Sequence, residues 1–233
     1  MSDKINLNVK HPLQNTWILW YDHNDKRNNN AQAWSENLKE VISIDTVEDF
    51  WGTLNNVSKA KHLAPNTNYH FFKNGIRPEW EDPSNAKGGK FVITIPRVKT
   101  GDVIDEYWTN LLLAIIGEQF ATDEEVCGAV MSSRKALYRM ALWIKTSDDE
   151  EKVKKISEHL QEVLSLPEAI EIEFTAHDDS PAKLAAEHAA AVAEERRLAY
   201  EERKAAAAAA AAAGETEDAP KEEEETEVKT TTA

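Results

Sequence analysis

Positive charge and cysteine are both scarce in this sequence. Its 233 residues include 27 lysines and arginines against 42 aspartates and glutamates, a formal net charge of −15. Nonspecific affinity for nucleic acid comes from many contacts between basic side chains and phosphates, so a protein that coats nucleic acid is excluded. The single cysteine, Cys127, cannot form an internal disulfide, which favours a reducing compartment. Its apolar surroundings in the sequence predict that it fills the core.

Long hydrophobic runs are also missing. No stretch approaches the roughly 18 uninterrupted apolar residues of a transmembrane helix, and the N-terminus MSDKINLNVK has no apolar signal-peptide core. A composition with 41% hydrophobic and 30% charged residues is typical of a soluble protein. We therefore expect a protein of the cytoplasm, with the nucleus as an open alternative, and no membrane partner.

Motifs of catalysis are absent as well. The GGK at 88–90 lacks the upstream glycine and the following serine or threonine of a P-loop. The seven histidines show no metal-ligand spacing, and Cys127 lies in the strand-like VCGAV rather than in an electropositive loop. The sequence therefore predicts a binding protein and not an enzyme, with no metal and no cofactor.

The distribution of aromatic residues predicts the domain boundaries. All seven tryptophans precede residue 150, and aromatic and β-branched residues become sparse after Phe174. The predicted parts are a flexible N-terminal arm at 1–10, a globular domain at 11–179, an alanine-rich helical extension at 180–213, and a disordered tail at 214–233. The tail carries eight acidic residues and two lysines from Glu215 onward, a composition typical of disorder.

Hydrophobic periodicity inside the globular domain alternates between that of strands and that of helices. Thr46 is placed as an N-cap of a first helix, a second begins at Asp102, and a third runs from about Asp149 to Leu164. A hairpin is predicted with its turn around 134–137. Further strand patterns lie at 16–21, 40–44, 68–75, 90–95 and 169–174. This order predicts an α+β domain in which helices cover one face of a mainly antiparallel sheet and leave the other face free for binding.

Six of the seven tryptophans fall into two groups. Four lie inside periodic segments and are predicted to be core residues: Trp17, Trp20, Trp108 and Trp143. Two others, Trp34 and Trp80, lie in polar loops. These two indoles could clamp a flat ring between them, or each could cover the edge of the core, and spacing alone leaves both interpretations open.

The chemistry of such a clamp favours a positively charged purine. The faces of two indoles attract a cationic ring by roughly 0.5 to 2 kcal/mol per contact, in addition to stacking of about 1 to 3 kcal/mol per base. The carboxylate of Glu81 only accepts hydrogen bonds, so it selects a ring edge with two adjacent donors, such as N1–H and the N2 amine of guanine. Methylation of guanine at N7 supplies the positive charge.

Basic residues at the predicted hairpin turn add a local phosphate-binding patch, formed by Arg134, Lys135 and Arg139. A few phosphates could bind there without a basic protein. A carbohydrate-binding module also combines tryptophan platforms with a carboxylate and remains an alternative. Such a module has no need of Arg134 and Arg139.

Six motifs resemble those of the messenger-RNA cap-binding translation initiation factor 4E family. They are HPLQNTWILWY (11–21), DTVEDFWGTLNNV (45–57), FFKNGIRPEWEDPSNAKGGKF (71–91), YWTNLLLAIIGEQF (107–120), VCGAV (126–130) and MALW (140–143). The chain looks like a fungal member with an unusual C-terminal extension. The resemblance implies a curved eight-stranded sheet with three long helices on its convex face and a ligand slot on its concave face.

The resemblance also implies a function, which is to bind the 7-methylguanosine cap of messenger RNA and to deliver it to the initiation machinery. The positions that match cap-binding residues of the family are Trp34, Trp80, Glu81, Arg134, Arg139 and Lys183. Trp34 and Trp80 would stack on the methylguanine, and Glu81 would bind N1 and N2. The three basic residues would contact the phosphates.

A second surface is implied on the helical side, where the scaffold factor 4G or inhibitory 4E-binding proteins dock. The matching positions are His11, Pro12, Val47, Trp51 and Leu113. From the sequence alone Trp51 suits the core as well as an interface, and the resemblance favours the interface. Thr109 and Asn110 depart from the family pattern beside this surface, so a cap-binding repressor that recruits the scaffold weakly is an open alternative.

Overall fold

Seven strands and three long helices form the fold of the described residues, which are 9–23, 35–120 and 124–178 and the helical positions 197, 200, 201 and 204 of a computed structural model. The strands are β1 (Pro12–His23), β2 (Lys39–Thr46), β3 (Thr67–Lys73), β4 (Gly89–Pro96), β5 (Val126–Ser133), β6 (Leu137–Ile144) and β7 (Ile172–Ala176). The α-helices are α1 (Val47–Asn56), the short α2 (Arg97–Thr100), α3 (Val103–Ile116) and α4 (Glu150–Leu164), and a 3-10 turn spans Ala60–His62. The chain divides into two units, 1–183 and 184–233, and these elements all belong to the first.

The strands form one sheet in the order β2-β1-β3-β5-β6-β4-β7, and every neighbouring pair is antiparallel. Two register shifts between β1 and β2 mark irregularities of the kind that bend a strand. The predicted α+β class is confirmed, but the expected eighth strand is wrong for the described residues. The alternating patterns themselves give seven strands, and the eighth came from the resemblance alone.

The ends of the helices follow the capping chemistry of the sequence. The hydroxyl of Thr46 accepts a hydrogen bond from the backbone N–H of Asp49 at 3.2 Å, which confirms the predicted start of α1. Asp149 does the same for the N–H of Lys152 at 3.0 Å at the start of α4. A turn at 167–170 follows α4, so β7 begins at Ile172 rather than at the predicted residue 169.

The main core lies between the long helices and one face of the sheet. Phe50 of α1, Trp108 of α3 and Leu160 of α4 are all buried in it. From the sheet, Trp17 and Phe71 stack with parallel rings whose centroids are 5.1 Å apart. Each fully buried large apolar side chain contributes about 1.5 to 3 kcal/mol to folding, so this layer fixes which face of every strand is turned away from the helices.

A smaller apolar cluster occupies the opposite face of the sheet and contains Phe72, Cys127, Ala141 and Trp143. The prediction that Cys127 fills a buried site is confirmed, and burial raises the pKa of its thiol to about 12. Trp143 is buried as predicted, but in this cluster rather than in the main core. No helix in the described part of the chain is long and apolar enough to cross a membrane.

The prediction that Trp20 belongs to the core is wrong. Successive side chains of a strand point to opposite faces, and Trp17 and Leu19 of β1 already face the helices. Trp20 therefore lies on the opposite face, where it is half-buried. The guanidinium carbon of Arg77 lies 5.8 Å from the centroid of its ring.

Candidate functional site

The loop at 74–88, between β3 and β4, is shaped by its own hydrogen bonds. The carboxylate of Asp82 accepts the backbone N–H groups of Arg77 and Ser84, each at 2.9 Å. An aspartate that binds backbone groups on both sides of itself fixes a turn without help from the rest of the protein. The loop therefore has a defined conformation although it lies outside the strands.

Asn85 reinforces this loop from inside. Its side chain is fully buried, and its amide nitrogen donates to the carbonyl oxygens of Arg77 and Glu79, each at 2.8 Å. These two carbonyls stand on the N-terminal side of Trp80. The backbone that leads into the indole is therefore held by a side chain five residues further along the chain.

The C-terminal end of the loop is fixed to the sheet. A Cβ at Gly88 would lie 1.9 Å from the carbonyl oxygen of Ile144, so only glycine permits this approach to β6. His177, which follows β7, donates from Nδ1 to the carbonyl oxygen of Asn85 at 2.7 Å. The loop is thus anchored to two strands that are not its neighbours in sequence.

The loop packs on the face of the sheet that carries the smaller apolar cluster. Ile76 is part of that cluster, and the Sγ of Cys127 donates to the carbonyl oxygen of Ser84 at 3.5 Å. On this loop Trp80 is half-buried and Glu81 is exposed. Trp80 and Glu81, which are predicted to bind a purine, therefore lie at the edge of the sheet face that the helices do not cover.

The second predicted indole, Trp34, lies outside the described residues. Its chain neighbour Ser35 donates a hydrogen bond to Oε1 of Glu79 at 3.1 Å. The same carboxylate oxygen accepts from Nη2 of Arg77 at 2.7 Å, and that nitrogen lies 3.2 Å from Oγ of Ser35. This polar triad ties the segment that follows Trp34 to the residue that precedes Trp80.

Three of the four basic residues predicted to contact phosphates are described, and one of them, Lys135, is exposed in the turn between β5 and β6. Arg134 begins the turn between β5 and β6, and Arg139 extends from β6 on the same face as Ala141 and Trp143. Burial lowers the pKa of Arg134, the carboxylate of Asp22 opposes this shift, and the positive charge of Arg139 adds to it. The fourth residue, Lys183, lies outside the described residues.

Lys90 belongs to the same group of cations and was missed from the sequence. It alternates with the core residue Phe91 in β4, so its side chain lies on the free face, where its Nζ is 5.7 Å from the ring centroid of Trp143. Burial lowers its pKa, and so does Arg139. The alternation in GKFVITI was the signal that could have identified it.

The three cations Lys90, Arg134 and Arg139 form no ion pair within the described part of the chain. Burial lowers the pKa of Lys90 and of Arg134, and the nearby positive charge of Arg139 acts in the same direction on both, so a bound anion would favour their charged forms. The part of the chain that the structure describes contains no group of three or more His, Cys, Asp or Glu side chains that could hold a metal ion. The free face is therefore suited to binding a compact anion.

On the helical side, the structure brings together most of the predicted partner-binding residues. The backbone N–H of Val47 donates to the carbonyl oxygen of His11 at 2.9 Å, and Pro12 pairs with Thr46 in the sheet. Trp51 lies one helical turn beyond Val47; the residue is 42% exposed, and its ring meets that of Phe50 edge to face. A large exposed indole beside an exposed valine is an apolar patch of the kind that partners use.

The remaining residues of this surface lie on α3. Leu113 is half-buried and packs against the main core. Thr109 and Asn110 line an open depression together with Asp105 and Glu106. The two departures from the family pattern are therefore accessible on the surface of α3.

Comparison with known proteins places these features in a family. A model described as eukaryotic initiation factor 4E matches residues 12–192. Eukaryotic translation initiation factor 4E-1 of Schizosaccharomyces pombe is 41% identical over 179 residues, covering 76% of this chain and 80% of the relative. The human eukaryotic translation initiation factor 4E is 38% identical over 176 residues, covering 75% of this chain and 79% of the relative.

Solved structures give the same result. The crystal structure of Ascaris suum eIF4E-3 with an m7G cap has a TM-score of 0.69 and 37% identity, and the match covers 74% of this chain and 94% of the Ascaris chain. The complex of C. elegans eIF4E-3 with the 4E-binding protein Mextli and a cap analog has a TM-score of 0.68 and 36% identity, with coverages of 75% and 96%. The resemblance seen in the sequence motifs is confirmed, and the chain belongs to the eukaryotic initiation factor 4E family.

Proposed function

We propose that this protein binds the 7-methylguanosine cap of messenger RNA and recruits it to the translation initiation machinery through a scaffold protein, without covalent chemistry. The observation that carries the proposal is the hydrogen bond from Ser35 to Glu79. It joins the chain neighbours of Trp34 and Trp80, as a clamp made from two separate loops requires. The relatives solved with an m7G cap or a cap analog support the same ligand.

In this proposal the base is sandwiched between the indoles of Trp34 and Trp80. The positive charge of the methylated ring strengthens the stacking, because the faces of the indoles are negative. Glu81 is exposed and accepts from N1–H and the N2 amine of the guanine edge. Guanine is selected because adenine does not present two adjacent donors in that arrangement.

The phosphates of the mRNA cap extend along the free face of the sheet toward Arg134, Arg139 and Lys90. Lys183 is proposed as a further phosphate contact, as the resemblance implies. The affinity then comes from a few local cations, and the net charge of −15 does not prevent binding.

The partner surface is proposed to bind a helix of scaffold factor 4G or of an inhibitory 4E-binding protein. Its apolar centre is Trp51 with Val47, flanked by His11, Pro12 and Leu113. An amphipathic helix seeks a groove of this kind. Thr109 and Asn110 favour a second candidate function, a cap-binding repressor that holds the scaffold weakly. Either role places the protein in the cytoplasm, with the nucleus as an open alternative.

A fluorescence titration tests the proposed ligand, because stacking on an indole quenches its emission. We expect the protein to bind 7-methylguanosine triphosphate more tightly than GTP, and Trp80→Ala to cost about 1.5 to 5 kcal/mol of affinity. Glu81→Gln should remove the preference for 7-methylguanosine over 7-methylinosine triphosphate, which lacks the N2 amine. Glu168→Gln, at an exposed carboxylate in the turn before β7, is the matched control.

Equal affinity for the methylated and unmethylated nucleotides would refute the proposal. Binding to glycans, with no retention on a 7-methylguanosine triphosphate resin, would instead identify a carbohydrate-binding module.

A further inference from the structure

A buried carboxylate lies behind the proposed phosphate site. Asp22 of β1 is completely inaccessible to solvent, and β3 lies beside β1 in the sheet. Both carboxylate oxygens of Asp22 lie 2.9 Å from the amide nitrogen of Asn68, and Oδ1 also lies 2.5 Å from Nε2 of His70. Burial of a charge is costly unless hydrogen bonds satisfy it, and these contacts do so.

The donor and acceptor roles in this network have a single solution. A carboxylate only accepts, so the amide nitrogen of Asn68 must face Asp22. The amide oxygen of Asn68 then faces away, and it accepts from Nη1 of Arg134 at 2.9 Å. A guanidinium only donates, so the order from Asp22 through Asn68 to Arg134 cannot be reversed without losing a hydrogen bond.

The guanidinium of Arg134 is held at one edge only. Nη1 is saturated by Asn68 and by the carbonyl oxygen of Ser133, which it contacts at 2.9 Å. Nε and Nη2 make no hydrogen bond to the residues that the structure describes. These two nitrogens form the fork that binds two oxygens of a phosphate side by side.

We propose that Asp22 is a positioning residue for Arg134, which it orients through Asn68 so that the free edge of the guanidinium meets the phosphates of a bound nucleotide. Asp22 does not touch the ligand. Its role is to force the amide of Asn68 into one orientation. This inference rests on the proposed binding of the mRNA cap. It adds Asp22 to the residues that shape the phosphate site, although the side chains of Asn68 and Arg134 lie between Asp22 and the ligand.

The test compares ligands with different numbers of phosphates. In Asp22→Asn the side chain at 22 presents a donor as well as an acceptor, so it no longer dictates which end of the Asn68 amide faces it, and only Arg134 still orients that amide. We expect the variant to bind 7-methylguanosine triphosphate about tenfold more weakly, the loss of one charge-assisted hydrogen bond. Affinity for the 7-methylguanosine nucleoside, which has no phosphate for Arg134 to contact, should change less than twofold.

Asn68→Ala gives the same information if Asp22→Asn does not fold, since it removes the intermediate amide and leaves Asp22 with His70. Adding Asp22→Asn to Arg134→Ala should cause no further loss, because the positioned group is already gone. Equal losses for the nucleoside and the triphosphate, or additive losses in the double variant, would overturn the inference and leave cap binding standing. Failure of the wild-type protein to bind the triphosphate would overturn the proposed function, and this inference with it.

Discussion

Replacing Asn85 with alanine should weaken binding of the mRNA cap although Asn85 is buried below the loop and cannot reach the ligand. The substitution removes two hydrogen bonds, both 2.8 Å long, from the amide nitrogen to the carbonyl oxygens of Arg77 and Glu79. It leaves the backbone hydrogen bonds of residue 85 in place. The turn around Asp82 should therefore survive, while the backbone that enters Trp80 becomes free to move.

The size of the effect follows from those two hydrogen bonds. Each has a net worth of about 0.5 to 1.5 kcal/mol, so the loop loses about 1 to 3 kcal/mol. If all of this is needed to hold the conformation that binds, the dissociation constant for 7-methylguanosine triphosphate rises about 5- to 150-fold. If part of this free energy instead lowers the stability of the whole protein, the dissociation constant rises by a smaller factor.

Two measurements separate these contributions. Indole quenching gives the affinity, and urea denaturation gives the free energy of unfolding. Ser84→Ala is the matched control, since Ser84 is on the same loop and only its backbone groups take part in the contacts described above. If Asn85→Ala bound the nucleotide within twofold of the wild type, the idea that Asn85 shapes the site would be wrong.

Three further predictions concern other parts of the molecule. Hydrogen bonds from His11 lower the pKa of Glu48 from 4.5 to about 2. The ionised Glu48 therefore stabilises the fold above about pH 4.5 and loses that effect as the pH falls toward 2. In urea titrations, the free energies of unfolding of the wild type and of Glu48→Gln should differ at pH 7 and converge toward pH 2. Because burial raises the pKa of Cys127 to about 12, iodoacetamide at pH 8 should label Cys127 only after unfolding. Mass spectrometry measures the labelling, and a labelled Cys127 in the native protein would contradict this prediction. Trp51→Ala should weaken a 4E-binding peptide by at least about tenfold and leave nucleotide affinity unchanged; an equal loss of both would make Trp51 a core residue.

The fold was predictable from the sequence because its strongest signals are local. Thr46 with Asp49 marks the start of α1, and the alternation in KFVITI marks β4, and both signals depend on neighbouring residues alone. Trp20 shows where local reasoning went wrong. It was placed in the core because it lies in a strand, but Trp17 and Trp20 are separated by an odd number of positions and must point to opposite faces.

The supports of the candidate site could not be predicted in the same way. Asn68 meets Arg134 only because β3 pairs with β5 in a particular register, in which Asn68 lies opposite Ser132. Asp22 likewise lies opposite Asn68 only through the register of β1 with β3. A shift of one residue in either pairing would turn these side chains to the other face, and no short motif specifies the register.

The order of the strands explains how an acidic protein concentrates positive charge in one place. Lys90, Arg134 and Arg139 come from β4, from the turn after β5 and from β6, which are adjacent in the sheet. Salt screens exposed charges beyond about 8 to 10 Å, so exposed acidic residues at greater distances have little influence on this cluster. Three cations can neutralise a short chain of phosphates, and they make no contact with phosphates further along a longer chain. Extending a capped ligand beyond its first nucleotides should therefore add little affinity, and the dependence on salt should be shallow, since it scales with the number of phosphates contacted.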